Sequence, residues 1–144
     1  MPEIPETLAN TLDALSLVPD RADRIQLLID TAERFQDVSP SIATRPFPED
    51  HRVPACESEA FVWAERRPDG RLDFHFAVEN PQGISAKAMA VILRDTLSGQ
   101  PLEQVAAVPQ DVVYQVFGNE LSMGKSMGLM GMVGMVTTLA KRAM

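Results

Sequence analysis

The sequence is poor in the residues that build disulfides and metal sites. Its 144 residues include one cysteine and two histidines, so an internal disulfide cannot form. A secreted fold held by disulfides is excluded, and a reducing compartment, the cytoplasm, is the expected location. A zinc or iron–sulfur site that draws several thiolates from one chain is also excluded, and the scattered histidines predict no other metal site.

Long apolar runs and positive charge are scarce too. The longest uncharged apolar stretch, residues 126–140, is shorter than the roughly 20 residues that a membrane-spanning helix needs. Residues 1–6 lack the basic and then apolar pattern of a signal peptide. With 13 basic and 20 acidic side chains the net charge is −7, and such a surface repels phosphate backbones. Neither a membrane nor a nucleic acid is therefore an expected partner.

The remaining pattern predicts one domain over residues 1–144. Apolar spacing favours helices at residues 7–15, 20–35, 84–97, 101–105, 109–117 and 122–142. Residues 60–66 and 72–78 predict a β-hairpin with one buried face, joined by a turn that contains Pro68 and Gly70. This order predicts an α+β fold, in which helices cover an antiparallel sheet on one side.

A proline-bearing segment precedes the hairpin. Four prolines between residues 36 and 55 predict a loop. Structureless loops of about 20 residues are uncommon in compact domains and are often functional. Cys56 directly follows this loop, where another protein can reach its thiol. Because the thiolate is the nucleophile, the nearby Arg52 is a candidate to favour it electrostatically.

Two alternatives remain for this thiol. One is an inert core cysteine, because cysteine is among the most buried residue types. The other is a cysteine hydrolase, which needs an imidazole within hydrogen-bond reach of the sulfur. His51 lies in the loop and His75 on the polar face of the second strand, both positions typical of surface histidines. No cysteine-protease signature surrounds Cys56.

The last predicted helix carries a face of glycines beside a stripe of methionines. These residues are Gly124, Gly128, Gly131 and Gly134, with Met123, Met127 and Met130. Each glycine in a helix costs roughly 1 kcal/mol relative to alanine, so close packing has to offset that cost. We expect a buried helix whose small residues let it approach the sheet. A methionine face that adapts to a partner protein is the alternative.

The residues around Cys56 resemble a family motif. Residues 52–58, RVPACES, are similar to the SufE motif R-V-x-G-C-x-S-x-V-W. Ala55 replaces the motif's glycine, a mild change if the backbone keeps a negative φ there. Ala60-Phe61 stand where Val-Trp is usual.

Two further segments support the resemblance. Residues 97–105 resemble the SufE segment L-S-G-x-T-P-E-E-I, and residues 121–129 resemble L-S-P-S-R-x-x-G-L, with Lys125 at the basic position. The implied fold is the one that SufE shares with iron–sulfur scaffold proteins. It has about three antiparallel strands flanked by helices.

The resemblance also implies a function. SufE proteins accept persulfide sulfur from a pyridoxal-phosphate cysteine desulfurase such as SufS, stimulate that enzyme, and deliver the sulfur to an iron–sulfur scaffold. Cys56 is then implied to carry the sulfur, and the desulfurase activity and its cofactor belong to the partner. Arg52, Glu57, Ser58 and Lys125 are implied to contact the partner or stabilise the persulfide. We expect a monomer or weak dimer without a cofactor of its own.

Another class of function fits the same features. A binding module could modulate a desulfurase or a scaffold without transferring sulfur, and a Cys56→Ser variant separates the two. We also expect Cys56 to be partly sheltered, with its loop held against the apolar face of the hairpin, because Val53 and Pro54 precede it. Docking would then have to move this loop outward.

Overall fold

A computed structural model describes residues 3–119 and 121–144. Its elements are α1 (Glu6–Ser16), α2 (Arg21–Glu33), β1 (Ala60–Arg66), β2 (Leu72–Val78), α3 (Ile84–Leu97), α4 (Leu102–Ala106), α5 (Val112–Phe117) and α6 (Met123–Ala143). A single 3-10 turn, Glu49–His51, precedes β1. Both strands and α3 lie where the sequence predicts them. Helix α5 begins later than predicted, because Pro109 opens a turn in which its carbonyl accepts from the Val112 N–H.

The hairpin organises the main core. Its strands are antiparallel, with Ala60 opposite Val78 and Arg66 opposite Leu72. Side chains alternate between the two faces of a strand, and one face packs on the helices, α3 against β2 and α6 against β1. The largest fully buried side chains include Phe74, Leu8, Met89, Leu93 and Met132. Each such side chain contributes roughly 1.5–3 kcal/mol by leaving water, and the predicted one-sided helical layer is confirmed.

A third strand is reduced to one bridge. About three strands are expected, and the described residues form two, with Arg52 bridging Phe61 at the free edge of β1. The Val53 N–H donates to the Ala60 carbonyl at 2.8 Å. Pairing ends there, because Pro54 has no N–H to donate.

The second face of the hairpin is also covered, which corrects the prediction of one buried face. Loop residues Val38 and Phe47 pack on Phe61, Trp63 and Ala77 in a small separate cluster. The Phe47 ring lies 5.2 Å from the Phe61 ring and 4.9 Å from the Trp63 ring, between centroids. The long predicted loop is therefore the apolar lid of this face.

An arginine ties the loop to the hairpin. The Arg45 guanidinium lies 2.9 Å from the carboxylates of Asp37 and Glu79 and 4.7 Å above the Phe47 ring centroid. The hydrogen bond to Asp37 raises the pKa of Arg45 above its ordinary value. Since Glu79 directly follows β2, the beginning of the loop is held against the end of the hairpin.

Among the described residues, none of the helices combines the length and hydrophobicity that a bilayer crossing requires.

Candidate functional site

Cys56 is covered, not displayed at a loop tip. Its exposed fraction is 8%, and it belongs to the main core cluster. The predicted shelter is confirmed, but its cause is different. The segment next to the cysteine, residues 52–56, rests along the edge of β1 and against α6, and only the earlier part of the loop packs on a face of the hairpin.

The glycine face of α6 receives the cysteine loop. A Cβ atom at Gly128 would lie 3.0 Å from Cys56 Cα and 3.3 Å from the Ala55 carbonyl oxygen. A Cβ atom at Gly131 would lie 3.2 Å from the Pro54 carbonyl oxygen. Contacts this short with backbone atoms are tighter than those of most Cβ atoms, so a side chain here would push the loop backbone away by a few tenths of an ångström, and glycine permits the close packing. The prediction that the glycines let α6 approach the sheet is corrected, because Gly128 and Gly131 approach the cysteine loop.

A small cavity adjoins the cysteine. It has a volume of about 150 Å³ and is lined by Cys56, Glu57, Ser58 and Lys125, with residues from the 80–86 segment and α6. Lys125 lies in the first turn of α6, where its N–H donates to the capping Ser122 hydroxyl. Three of the four residues named for contact with the persulfide or the partner therefore meet at one cavity.

The Lys125 ammonium has no acidic neighbour within 4.0 Å among the described residues. Its side chain is exposed at the mouth of the cavity. Within this part of the chain Lys125 forms no salt bridge, and it shares the cavity with Glu57, whose carboxylate oxygen would lie 3.0 Å from a Cβ atom at Gly124.

Arg52 lies elsewhere. As the bridge partner of Phe61, it points toward that ring, with its guanidinium 5.9 Å from the ring centroid. Its nearest carboxylate is that of Glu49, at 4.0 Å. Arg52 lines a different groove from the one that holds Cys56, and nothing in this geometry connects it to the thiol.

Neither histidine lines the Cys56 cavity. His51 Nδ1 donates to the Val62 carbonyl oxygen at 2.9 Å, and its ring stacks on Trp63. His75 Nε2 is buried without a hydrogen-bond partner, 3.4 Å from the Glu65 carboxylate. This arrangement gives no support to a cysteine hydrolase. The described residues also contain no cluster of acidic, histidine and cysteine side chains that could hold a metal ion.

Comparison with known families identifies the chain. The family model described as "SufE: Fe-S metabolism associated domain" matches residues 9–140. The chain belongs to the SufE family. This membership associates the chain with iron–sulfur metabolism. The matched range includes every residue of the cysteine site.

The fold is that of a solved structure as well. A solution structure of a hypothetical protein from Thermus thermophilus matches with a TM-score of 0.76 at 24% identity, over 97% of each chain. The expected α+β, SufE-like fold is confirmed. No curated protein matches the sequence.

The backbone is strained at one position where the chain departs from the SufE motif. Ala55, which replaces the motif's glycine, has φ = +58°, so the condition of a negative φ is not met. L-residues pay roughly 1–2 kcal/mol in this left-handed region, because Cβ approaches the carbonyl oxygen. A glycine at this position would adopt the same φ without that cost.

Replacing Ala55 with glycine should therefore stabilise the protein. We expect the free energy of unfolding in urea to rise by roughly 0.5–1 kcal/mol. The matched control is Ala22→Gly on the exposed first turn of α2, which should lower stability by a similar amount. An Ala55→Gly variant that loses as much stability as the control would contradict the strain.

One wall of the Cys56 cavity, the turn after β2, was not predicted from the sequence. The Asn80 N–H donates to the Ser58 carbonyl at 3.1 Å, and a Cβ atom at Gly83 would lie 3.1 Å from Ser58 Cβ. A signal existed in the hairpin register. If Ala60 pairs with Val78, antiparallel pairing continues to place residue 58 beside residue 80.

Proposed function

We propose that this protein is a sulfur acceptor, which takes persulfide sulfur from a pyridoxal-phosphate cysteine desulfurase onto Cys56 and passes it to iron–sulfur assembly. The observation that carries the proposal is the position of the only thiol in the chain. Cys56 lies sheltered at a small cavity beside the cation Lys125. Family membership supports the metabolic context. The partner supplies the pyridoxal phosphate, and the cytoplasm is the proposed location.

The transfer needs one nucleophile and no oxidant. The Cys56 thiolate attacks the outer sulfur of the donor's persulfide, and a new S–S bond forms as the old one breaks. The electron pair of the broken bond leaves on the donor sulfur, which becomes a thiolate. Cys56 then carries the sulfane sulfur, and the same exchange passes it to the recipient.

The cavity suits the product of this step. Its volume of about 150 Å³ exceeds the roughly 30 Å³ that one water molecule occupies in the liquid, so one added sulfur atom fits. Lys125 acts as a point charge that favours the thiolate and the persulfide anion. The half-buried Ser58 offers a hydroxyl donor, whereas the exposed Glu57 is placed to contact the partner.

Because the thiol is sheltered, sulfur transfer requires the cysteine loop to move. Cys56 is a buried residue, 8% exposed, and its sulfur cannot meet a second protein's persulfide in line while the loop stays closed. We infer that docking draws residues 54–58 off the glycine face of α6, and that the loop returns to protect the persulfide from small reductants.

Sulfur uptake tests the proposal. Incubation with a cysteine desulfurase and free cysteine, without reductant, should add about 32 Da, the mass of one sulfur. Peptide mapping should place the added mass on the peptide that contains Cys56, and omission of free cysteine is the control. No gain in mass with several desulfurases, despite an alkylatable Cys56, would overturn the proposal.

Lys125 should set the rate of that uptake. We expect Lys125→Ala to slow persulfide formation by about fivefold and Lys125→Arg to retain most of the rate, because the charge contributes on the order of 1 kcal/mol. Single-turnover mass measurements at saturating desulfurase separate this effect from weaker docking. Equal rates of persulfide formation in the alanine and arginine variants would contradict an electrostatic role for Lys125.

A further inference from the structure

The N-terminus of α3 lies at the cavity that adjoins Cys56. The first three residues of this helix, 84–86, line the cavity together with the cysteine. Gly83, which precedes them, packs on the cysteine loop, since a Cβ atom there would lie 3.1 Å from Ser58 Cβ. Because α3 has 14 residues, its aligned peptide dipoles place partial positive charge at this end.

Two backbone N–H groups at this end have no acceptor. The Ile84 N–H donates to a carbonyl of the preceding turn at 2.9 Å, and the regular helical hydrogen bonds begin with the N–H of Lys87. The N–H groups of Ser85 and Ala86 lie between these two and donate to no atom of the described chain. Ala86 is 0% exposed, and a buried N–H without a partner is rare in native proteins and marks a place where a ligand or a catalytic role has to be considered.

The Cys56 thiol is without a partner at the same cavity. The residue is 8% exposed, and its sulfur forms no hydrogen bond within the described residues. Burial destabilises a thiolate or persulfide anion unless donors compensate for the lost water. Backbone N–H groups that a helix holds in place are suited to this, because they need no reorganisation when the charge forms.

A second helix end at this cavity, the start of α6, already has polar partners. Ser122 caps α6 by accepting from the Lys125 N–H at 3.3 Å. The Glu57 carboxylate lies against the same turn, 3.0 Å from a Cβ atom placed at Gly124. Helix α3 has neither a side-chain cap nor an acidic residue in its first turn. The end of α3 is therefore the one left open to an anion.

We propose that the N–H groups of Ser85 and Ala86 bind the outer sulfur of the Cys56 persulfide as an anion. Helix N-termini bind anions in this way, through free N–H groups and the helix dipole. The sulfur is then held on α3 beneath the closed cysteine loop, where the N–H groups keep its charge satisfied without water. The inference rests on the proposed function, because it concerns the sulfur that Cys56 accepts there.

Amide NMR of the sulfur-loaded protein tests the proposal. Inorganic polysulfide converts Cys56 to the persulfide without a desulfurase, and methyl methanethiosulfonate converts it to a neutral methyl disulfide of similar size, with each product checked by intact mass. We expect the amide protons of Ser85 and Ala86 to move downfield in the persulfide and not in the methyl disulfide, because a hydrogen bond to an anion deshields them. The amide of Ala22, which Asp20 caps at the start of α2, should move in neither.

Removing one donor should shorten the life of the persulfide. Ser85→Pro deletes an N–H group in the first turn of a helix, where proline is tolerated. We expect dithiothreitol to reduce the persulfide about tenfold faster in this variant, because a hydrogen bond to a charged group is lost. Ala22→Pro, at the same position of α2 and exposed, should keep the reduction rate within about twofold of wild type.

Three results would overturn the proposal. They are equal amide shifts in the persulfide and the methyl disulfide, shifts confined to the first turn of α6, and equal reduction rates in the two proline variants. The outcome is separate from that of the sulfur-uptake experiment. If polysulfide-loaded protein shows the shifts at α3 while no desulfurase adds sulfur, the anion site stands and the sulfur-acceptor function fails.

Discussion

A Cys56→Ser variant should accept no sulfur and still bind the desulfurase. The chain contains one cysteine, so no second thiol can take over the transfer. Serine is nearly isosteric, and its hydroxyl does not ionise to a nucleophile comparable to a thiolate. The residue is 8% exposed, so it contributes little contact area before the loop moves. We expect a complete loss of the sulfur adduct by intact mass, with the Kd for the desulfurase within about threefold of wild type.

The sulfur adduct and the Kd for the desulfurase, measured together, separate a sulfur carrier from a module that only modulates the desulfurase. If wild type takes sulfur and the serine variant only binds, Cys56 is a carrier. If wild type takes none and both proteins bind and stimulate the desulfurase equally, the protein is a modulating module and transfer is refuted. Sulfur on the serine variant would show a carrier atom other than the Cys56 sulfur. A circular dichroism spectrum identical to that of wild type controls for folding.

Replacing Gly128 with valine should expose Cys56. The added Cβ would lie 3.0 Å from Cys56 Cα, and the two γ-methyl groups of valine extend beyond it, so the closed position of the loop on α6 is destabilised. Overpacking of this kind costs roughly 1–3 kcal/mol, and if the cost falls on the closed loop, opening rises by about 5- to 150-fold. Alkylation of the resting protein by a bulky maleimide should accelerate by a factor in that range.

Wild type sets the baseline for this experiment, since its sheltered thiol should react slowly until urea unfolds the protein. Met127→Val is the matched control, because it places the same residue one position earlier on α6, where the side chain is 52% exposed. Its labelling rate should stay at the wild-type value. A Gly128→Val protein that melts normally and labels no faster than wild type would disprove the contact as the source of the shelter.

Much of the fold could be predicted from local signals. The alternation in residues 72–78 and the turn at Pro68 and Gly70 predicted both strands with their observed bounds, because strand periodicity and turn geometry depend on neighbouring residues alone. Asp20 was expected to begin α2, and it caps that helix through the Ala22 N–H at 2.8 Å. A third strand was not predictable in this way, since its remnant is a single bridge at Arg52.

The candidate site was predictable only in part. The SufE resemblance named Cys56 and its neighbours together with Lys125, although Lys125 comes 69 positions after Cys56 (125 − 56). The structure places both residues at one cavity. Their roles remain predictions. Arg52, four positions before the cysteine, was grouped with it by the SufE motif and by proximity in sequence. The bridge to Phe61 sends it into a different groove.

The sequence by itself determined the chemistry that is available, namely a single thiol, no disulfide and a negative surface. It also determined the helices and the hairpin, whose signals repeat within a few residues. The tertiary structure alone decided what the glycine face of α6 receives, that Arg52 lies away from the Cys56 cavity, and that Ala55 adopts φ = +58°. These features arise where segments far apart in the chain pack together. Their distances depend on the whole fold, so no local pattern of residues encodes them.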